Sequence, residues 1–230
     1  MTPIVNRLRG LGIVLGLIGF AFVAAGAYSL FKVQEGSASL QAFSAAQGVE
    51  LTYNADGQLI DRGEVAGAVG IMALLRNDWG YPVASDEMDP NDPVVNTPSE
   101  YMFQMATVAY HTLNGVQTVV LTEDAEYNGE VFPAGEYEFA IAGRYWNDFD
   151  REHPIEGPAR EQAWSGTAHA LIGQLGVGTV TASALTLGLG LGALFIGVGG
   201  TFMLTGAGLV WATLPERNRV PVLRPAGVAV

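Results

Sequence analysis

Cysteine is missing from this 230-residue chain, and with it go disulfides, zinc–thiolate centres, iron–sulfur clusters and cysteine nucleophiles. A folded part in an oxidising compartment must then hold together by packing alone, which is feasible for a domain of ordinary size. Histidine is nearly missing too, with His111, His153 and His169 as the full set. A non-haem iron site takes two histidines and a carboxylate aimed at one point, and no two of these three fall on the same helical turn. Charge is missing over a long interval: no Asp, Glu, Lys or Arg occurs between Glu161 and Glu216.

That uncharged interval organises the chain. From Ala184 to Trp211 it is apolar and glycine-rich, longer than the roughly 20 residues a helix needs to cross about 30 Å of hydrocarbon. Trp211 falls where an interfacial aromatic is expected, and Pro215-Glu-Arg-Asn-Arg219 returns the chain to water. A second charge-free run, Gly10 to Phe31, follows Arg7 and Arg9. Its length and its flank of Tyr28, Phe31 and Lys32 favour a retained membrane helix over a cleaved signal, although Ala24-Ala25-Gly26-Ala27 offers the small residues of a cleavage site.

The acids are as unevenly placed as the apolar residues. All except Glu216 lie between Glu35 and Glu161, where 22 acids face five arginines, a formal charge of −17. This balance argues against nucleic acid, whose phosphates it repels, and for a solvated face, divalent cations or basic partners. Arginines flank both apolar runs on their outer sides, which places both termini in the cytoplasm by the positive-inside rule. The expected organisation is a cytoplasmic N-terminus at 1–9, transmembrane helices at 10–32 and 176–213, an acidic extracytoplasmic domain at 33–175 and a cytoplasmic tail at 214–230.

Within the middle region the fold class reads as α+β. Gly36 to Gln47 extends the first helix and Gly48 ends it. Val49–Tyr53 and Gln58–Ile60 flank the turn Asn54-Ala-Asp-Gly57 as a small hairpin. Glu64 to Arg76 is a helix with Val65, Val69, Met72 and Leu75 on its buried side. After an irregular stretch, Thr97-Pro-Ser-Glu100 has cap, proline and glutamate in the order of a helix start, with the helix running to Leu113. Val116–Thr122, Tyr127–Phe132 with its Asn128-Gly129 turn, a turn at Pro133-Ala-Gly135, and Glu136–Ala142 make a short antiparallel meander. Pro158 opens a helix from Ala159 that feeds into the second membrane segment, with Gly173, Gly176 and Gly178 as bending points.

Two acidic loops are candidate calcium sites: Asp86, Asp89 and Asp92 in one, Asp148 and Asp150 in the other. Neither matches the EF-hand spacing, and Pro90 and Pro93 restrict how the first can wrap an ion. No other cofactor is expected. No serine lies in a nucleophile elbow, and the glycine runs lie in apolar segments rather than between a strand and a helix, so they are not phosphate loops. Gly12 with Gly16 and Gly188 with Gly192 have the four-residue spacing that lets membrane helices approach closely, and Gly197 offers a further small surface. Membrane lipid and further protein chains, as a homo-oligomer or a larger envelope complex, are the expected partners.

The stretches Thr118–Phe139, Gly143-Arg-Tyr-Trp146 and His153–Trp164 resemble a family of two-pass actinobacterial membrane proteins whose members are often labelled aromatic ring-opening dioxygenases. The resemblance implies the membrane topology and a Gram-positive envelope. It carries no catalytic residue onto this chain. A non-enzymatic interaction or accessory role, an iron-dependent dioxygenase and a cation- or small-ligand-binding module are the three functions compatible with these residues.

Overall fold

The computed structural model describes residues 3–214. The expected cytoplasmic tail, with Arg217, Arg219 and Arg224, lies outside the described residues except for Leu214. The order is α1 (Pro3–Gln47), α2 (Val65–Ala73), α3 (Pro98–Leu113), β1 (Val116–Leu121), β2 (Ala125–Tyr127), β3 (Glu130–Phe132), β4 (Gly135–Ala140), α4 (Glu156–Ala163) and α5 (Gly166–Ala212). The chain is α+β, with a long apolar helix at each end and the strands between. It divides into two compact units, one from the described parts of 1–35 and 187–230, the other from 36–186.

The first unit is an antiparallel pair of helical segments. A Cβ added to Gly12 would lie 2.7 Å from the Gly206 carbonyl oxygen, one on Gly19 2.5 Å from that of Gly199, and one on Gly26 2.7 Å from that of Gly192. Three glycines in each helix, seven residues apart, thus bring backbone onto backbone at the coiled-coil period. Ser29 donates to the Gly188 carbonyl at 3.0 Å, and Phe22 packs edge-on against Phe195 and Phe202. Of the expected packing glycines, Gly12, Gly188 and Gly192 lie in this seam. Gly16 joins it only through its backbone, which Gly206 approaches, and Gly197 has nothing within 4 Å of its Cβ position.

The second unit is built on three apolar clusters. Leu51, Ile71, Leu75, Val95, Tyr101, Phe103 and Ala106 form the largest. Gly48, at φ +60°, ends α1 where expected, and its N–H reaches the Ser44 carbonyl at 3.0 Å. The expected helix of Glu64–Arg76 is present as α2 followed by a π turn at Leu74–Asp78. Its buried face differs from the expected one. Ala68, Ile71 and Leu75 are buried and Val69 is 61% exposed, because Gly70 seats the helix against the Tyr110 ring of α3. The first expected hairpin is reduced to one bridge, Tyr53 to Leu59.

The meander is corrected to a single long hairpin. β1 pairs antiparallel with β4, and β2 with β3, in two separate ladders. Asn128 and Gly129, at φ +50° and +82°, form the expected turn, while Pro133-Ala-Gly135 is an interruption and not a turn. Proline has no N–H to give a ladder, so Thr122–Asp124 bulges opposite Pro133–Ala134 and Asp124 accepts the Ala134 N–H at 2.8 Å. Val119 on the inner face packs against Ile155 and Ala159 near α4. A second correction concerns the expected feed of α4 into the second apolar helix: α5 starts only at Gly166 and then continues through Gly173, Gly176 and Gly178. The chain breaks at Trp164 and Ser165, where Trp164 leaves helical geometry and the Ser165 hydroxyl accepts the Ala168 N–H at 3.3 Å.

The seam predicts opposite responses from neighbouring glycines. Gly199→Leu places a side chain 2.6 Å from the Gly19 oxygen and costs roughly 1–3 kcal/mol of overpacking, whereas Gly197→Leu meets open space. Unfolding in a detergent that holds the chain as a monomer, followed by circular dichroism, should separate them. Equal losses in both variants contradict the seam.

Candidate functional site

The start of α3 is a polar network whose first-turn donors are all satisfied. Thr97 caps the helix and accepts the Glu100 N–H, while Glu100 accepts the backbone N–H of Thr97 at 2.9 Å and of Asn96 at 3.0 Å. Pro98 needs no acceptor, having no N–H. The one remaining donor of the first turn, Ser99 N–H, is taken by the Glu87 carboxylate at 2.9 Å, and the Ser99 hydroxyl accepts Ala84 N–H at 3.0 Å. The Thr97 hydroxyl also donates to the Glu87 carbonyl at 3.1 Å. The acidic loop is thus stitched to the positive end of a helix, where negative charge is favourable.

Glu100 is 2% exposed. Burial raises its carboxyl above the ordinary carboxylate range, the Asn96 and Thr97 amides and the Thr97 hydroxyl pull it back, and Asp92 pushes it up. Tyr53 lies in the same environment: burial first, then the charges of Glu100 and Asp89, push its phenol up to about 12.

The cap fixes the next residue, Tyr101, whose ring floors a cavity of about 360 Å³. Its hydroxyl is 2.8 Å from the Ser44 hydroxyl of α1. Its ring lies against Gly178 of α5, where a Cβ would come within 2.6 Å of two ring carbons. Gly178 is therefore a contact residue for the ring. Leu40, Phe43 and Gln47 of α1, Val49 and Val95 of the connecting chain, and Gln174, Leu175, Val177 and Thr181 of α5 complete the lining. No ionisable acid or base lines it, although this unit holds most of the chain's carboxylates.

The candidate cation ligands lie in local turns, where most of them accept hydrogen bonds. Asp89 accepts both the backbone and side-chain N–H of Asn91 at 2.9 Å, and Asp92 accepts from the Asn96 side chain at 3.4 Å. Asp86 lies in the short 3₁₀ turn Ser85–Glu87. Asp148 accepts the Tyr145 N–H at 2.8 Å, and Asp150 accepts the Glu152 N–H at 3.1 Å and the Tyr127 hydroxyl. The Tyr127 bond is the first cause that lowers the Asp150 carboxyl below its ordinary value. Among the described residues no three His, Asp or Glu side chains are grouped as an ion would require.

The histidines are likewise dispersed. His111 pairs with Asp61 at 3.0 Å, His153 accepts the Ile155 and Glu156 N–H groups through Nδ1, and His169 lies edge-on to Trp146. Sequence reasoning missed the cavity, whose walls come from segments more than 100 positions apart. It also missed the seven-residue glycine spacing at 12, 19, 26 and 192, 199, 206, a signal present in the sequence that the shorter four-residue motif obscured.

Compared with protein-family models, with curated proteins and with solved structures, the chain finds no match.

Two variants test the network beneath the cavity. Thr97→Ala removes the cap and should cost about 1 kcal/mol of unfolding free energy. Because the folded state raises the Glu100 pKa, it binds that proton more tightly than the unfolded chain, so stability falls as pH rises from the ordinary carboxylate value through the raised one. Glu100→Gln should remove that component, making the wild-type minus variant stability decline across the window. A flat difference in urea unfolding measured from acid to neutral pH contradicts the assignment.

Proposed function

We propose that the chain is a two-span integral membrane protein with a non-enzymatic role, acting through its acidic middle domain as an interaction or accessory subunit of a cell-envelope assembly. One observation carries the membrane part of this reading. In the most apolar windows of α1 and α5, only 17% and 11% of residues are buried, although both helices have the length and composition to cross a bilayer. The core helix of a water-soluble protein is mostly buried, because each exposed leucine or phenylalanine forfeits roughly 1.5–3 kcal/mol of hydrophobic stabilisation. Here Leu17, Phe20, Leu187 and Leu204 all remain exposed. Hydrocarbon is the environment in which that surface carries no such cost.

The arginines before Gly10 and after Trp211 support cytoplasmic termini and an extracytoplasmic 33–175, and the resemblance to two-pass actinobacterial proteins supports a Gram-positive envelope. Self-association is supported by glycines that the helix pair leaves unused. Gly190, Gly197, Gly200 and Gly208 have nothing within 4 Å of their Cβ positions, and a glycine within a helix costs up to about 1 kcal/mol of propensity relative to alanine. A second copy of the chain gives those open surfaces a partner, and a closed ring is the usual form for identical chains.

Three measurements test the proposal. With no native cysteine, Asn91→Cys gives a single thiol that an impermeant reagent should label in intact cells; labelling only after the membrane is opened reverses the topology. Gly197→Leu should lower the particle mass in mild detergent without loss of insertion, and a wild-type monomer in both detergent and lipid discs, with no co-purifying subunit, removes the accessory reading. Purified protein should contain no stoichiometric iron and cleave no catechol. One iron per chain, lost on replacing two histidines and a carboxylate, establishes the dioxygenase reading instead.

A further inference from the structure

We propose that the cavity floored by Tyr101 is a binding site for one hydrocarbon chain of a membrane lipid. The inference rests on the membrane reading for the source of the ligand, and on the cavity itself for its chemistry. At about 360 Å³ the space falls within the range of small-molecule sites, roughly 300–1,000 Å³.

Its lining rejects the alternatives within reach. An ionic group finds no counter-charge there, since no Asp, Glu, His, Lys or Arg lines the cavity. An anionic ligand is also opposed by the −17 formal charge of the region between Glu35 and Glu161. Water finds few partners on a lining that is mostly aliphatic and aromatic, and the buried Ser44 and Tyr101 hydroxyls already bond each other at 2.8 Å. An uncharged, apolar occupant matches a wall of leucine, valine and phenylalanine, with Gln47, Gln174 and Thr181 as neutral polar groups suited to an ester carbonyl.

The edges of the cavity point the same way. Phe43, Val49 and Val177 are among the large hydrophobic residues left exposed, and all three line it. Apolar side chains around an apolar recess in so acidic a region mark a binding surface. A chain that leaves the bilayer for this cavity exchanges one apolar environment for another, while the lining residues lose their contact with water. The driving force is therefore the covering of the protein's own apolar surface.

The test uses the full-length protein in lipid discs containing a phosphatidylcholine with a photoreactive diazirine near the end of one acyl chain. After illumination, adducts are mapped by peptide mass spectrometry. Adducts within 10–31 and 184–211 report contact with the bilayer, and adducts on the peptide holding Val95 and Tyr101 report entry into the cavity, since Tyr101 is 7% exposed and lies on neither long helix.

Wild type should give both sets. Thr181→Trp, which fills the cavity from its wall, should reduce the Tyr101 adducts at least fivefold and leave the others unchanged. Val177→Glu, at an exposed position that tolerates substitution, should act in the same direction by placing a charge at the edge. Adducts in the two apolar stretches alone overturn the cavity proposal and leave the membrane reading standing. Their absence everywhere overturns both. A Tyr101 adduct that persists in both folded variants also refutes the lipid assignment.

Discussion

Backbone meeting backbone at every seventh residue of α1 and α5 is the constraint on which the first unit depends. If the pair spans a bilayer, as proposed, burying leucine gains little, and association comes from close contact and from the few polar groups that can bond across the pair. Gly12, Gly19 and Gly26 facing Gly206, Gly199 and Gly192 provide the first, and the Ser29 hydroxyl on the Gly188 carbonyl provides the second. A single methyl group on this seam would meet a carbonyl oxygen well inside van der Waals contact. Elsewhere on the helix, Gly190 and Gly197 meet nothing of their own chain. Position around the helix, and not glycine content, decides what each one does.

In the second unit the corresponding anchor is the first turn of α3. Proline, a threonine cap, a buried glutamate and a carboxylate from the preceding loop leave no first-turn donor unsatisfied. This matters for function because the network ends on Tyr101. With its phenol held by Ser44 and its ring held against Gly178, Tyr101 can neither swing into the cavity nor present its hydroxyl to it. The two buried hydroxyls of the cavity floor are thus paired with each other.

The acidic charge of this unit is handled by separation. Its carboxylates cap helices, close turns and face solvent. The two arginines nearest the strands lie over aromatic rings: Arg144 over Phe139 and Phe149 while it pairs with Glu156, and Arg160, 7% exposed, 3.9 Å from the Trp146 ring. Two guanidinium nitrogens of Arg160 have no hydrogen-bond partner, while the third reaches Glu161 at 3.5 Å and the face of Trp146 helps to compensate for burying the cation.

The sequence by itself determined the features that local rules encode: the two apolar helices, the cap at Thr97, the end of α1 at Gly48 and the turn at Asn128-Gly129. Each depends on a few adjacent residues whose backbone preferences have no competitor. It left open whatever depends on which distant surface a residue meets. The buried face of α2 shifted from Val69 to Ile71 because Gly70 found Tyr110. The expected meander became one interrupted hairpin because β4 had β1 to pair with and Pro133 had no N–H to continue the ladder. The cavity was invisible in the sequence, since Ser44, Tyr101 and Gly178 carry no shared motif and acquire a common role only where three helices converge.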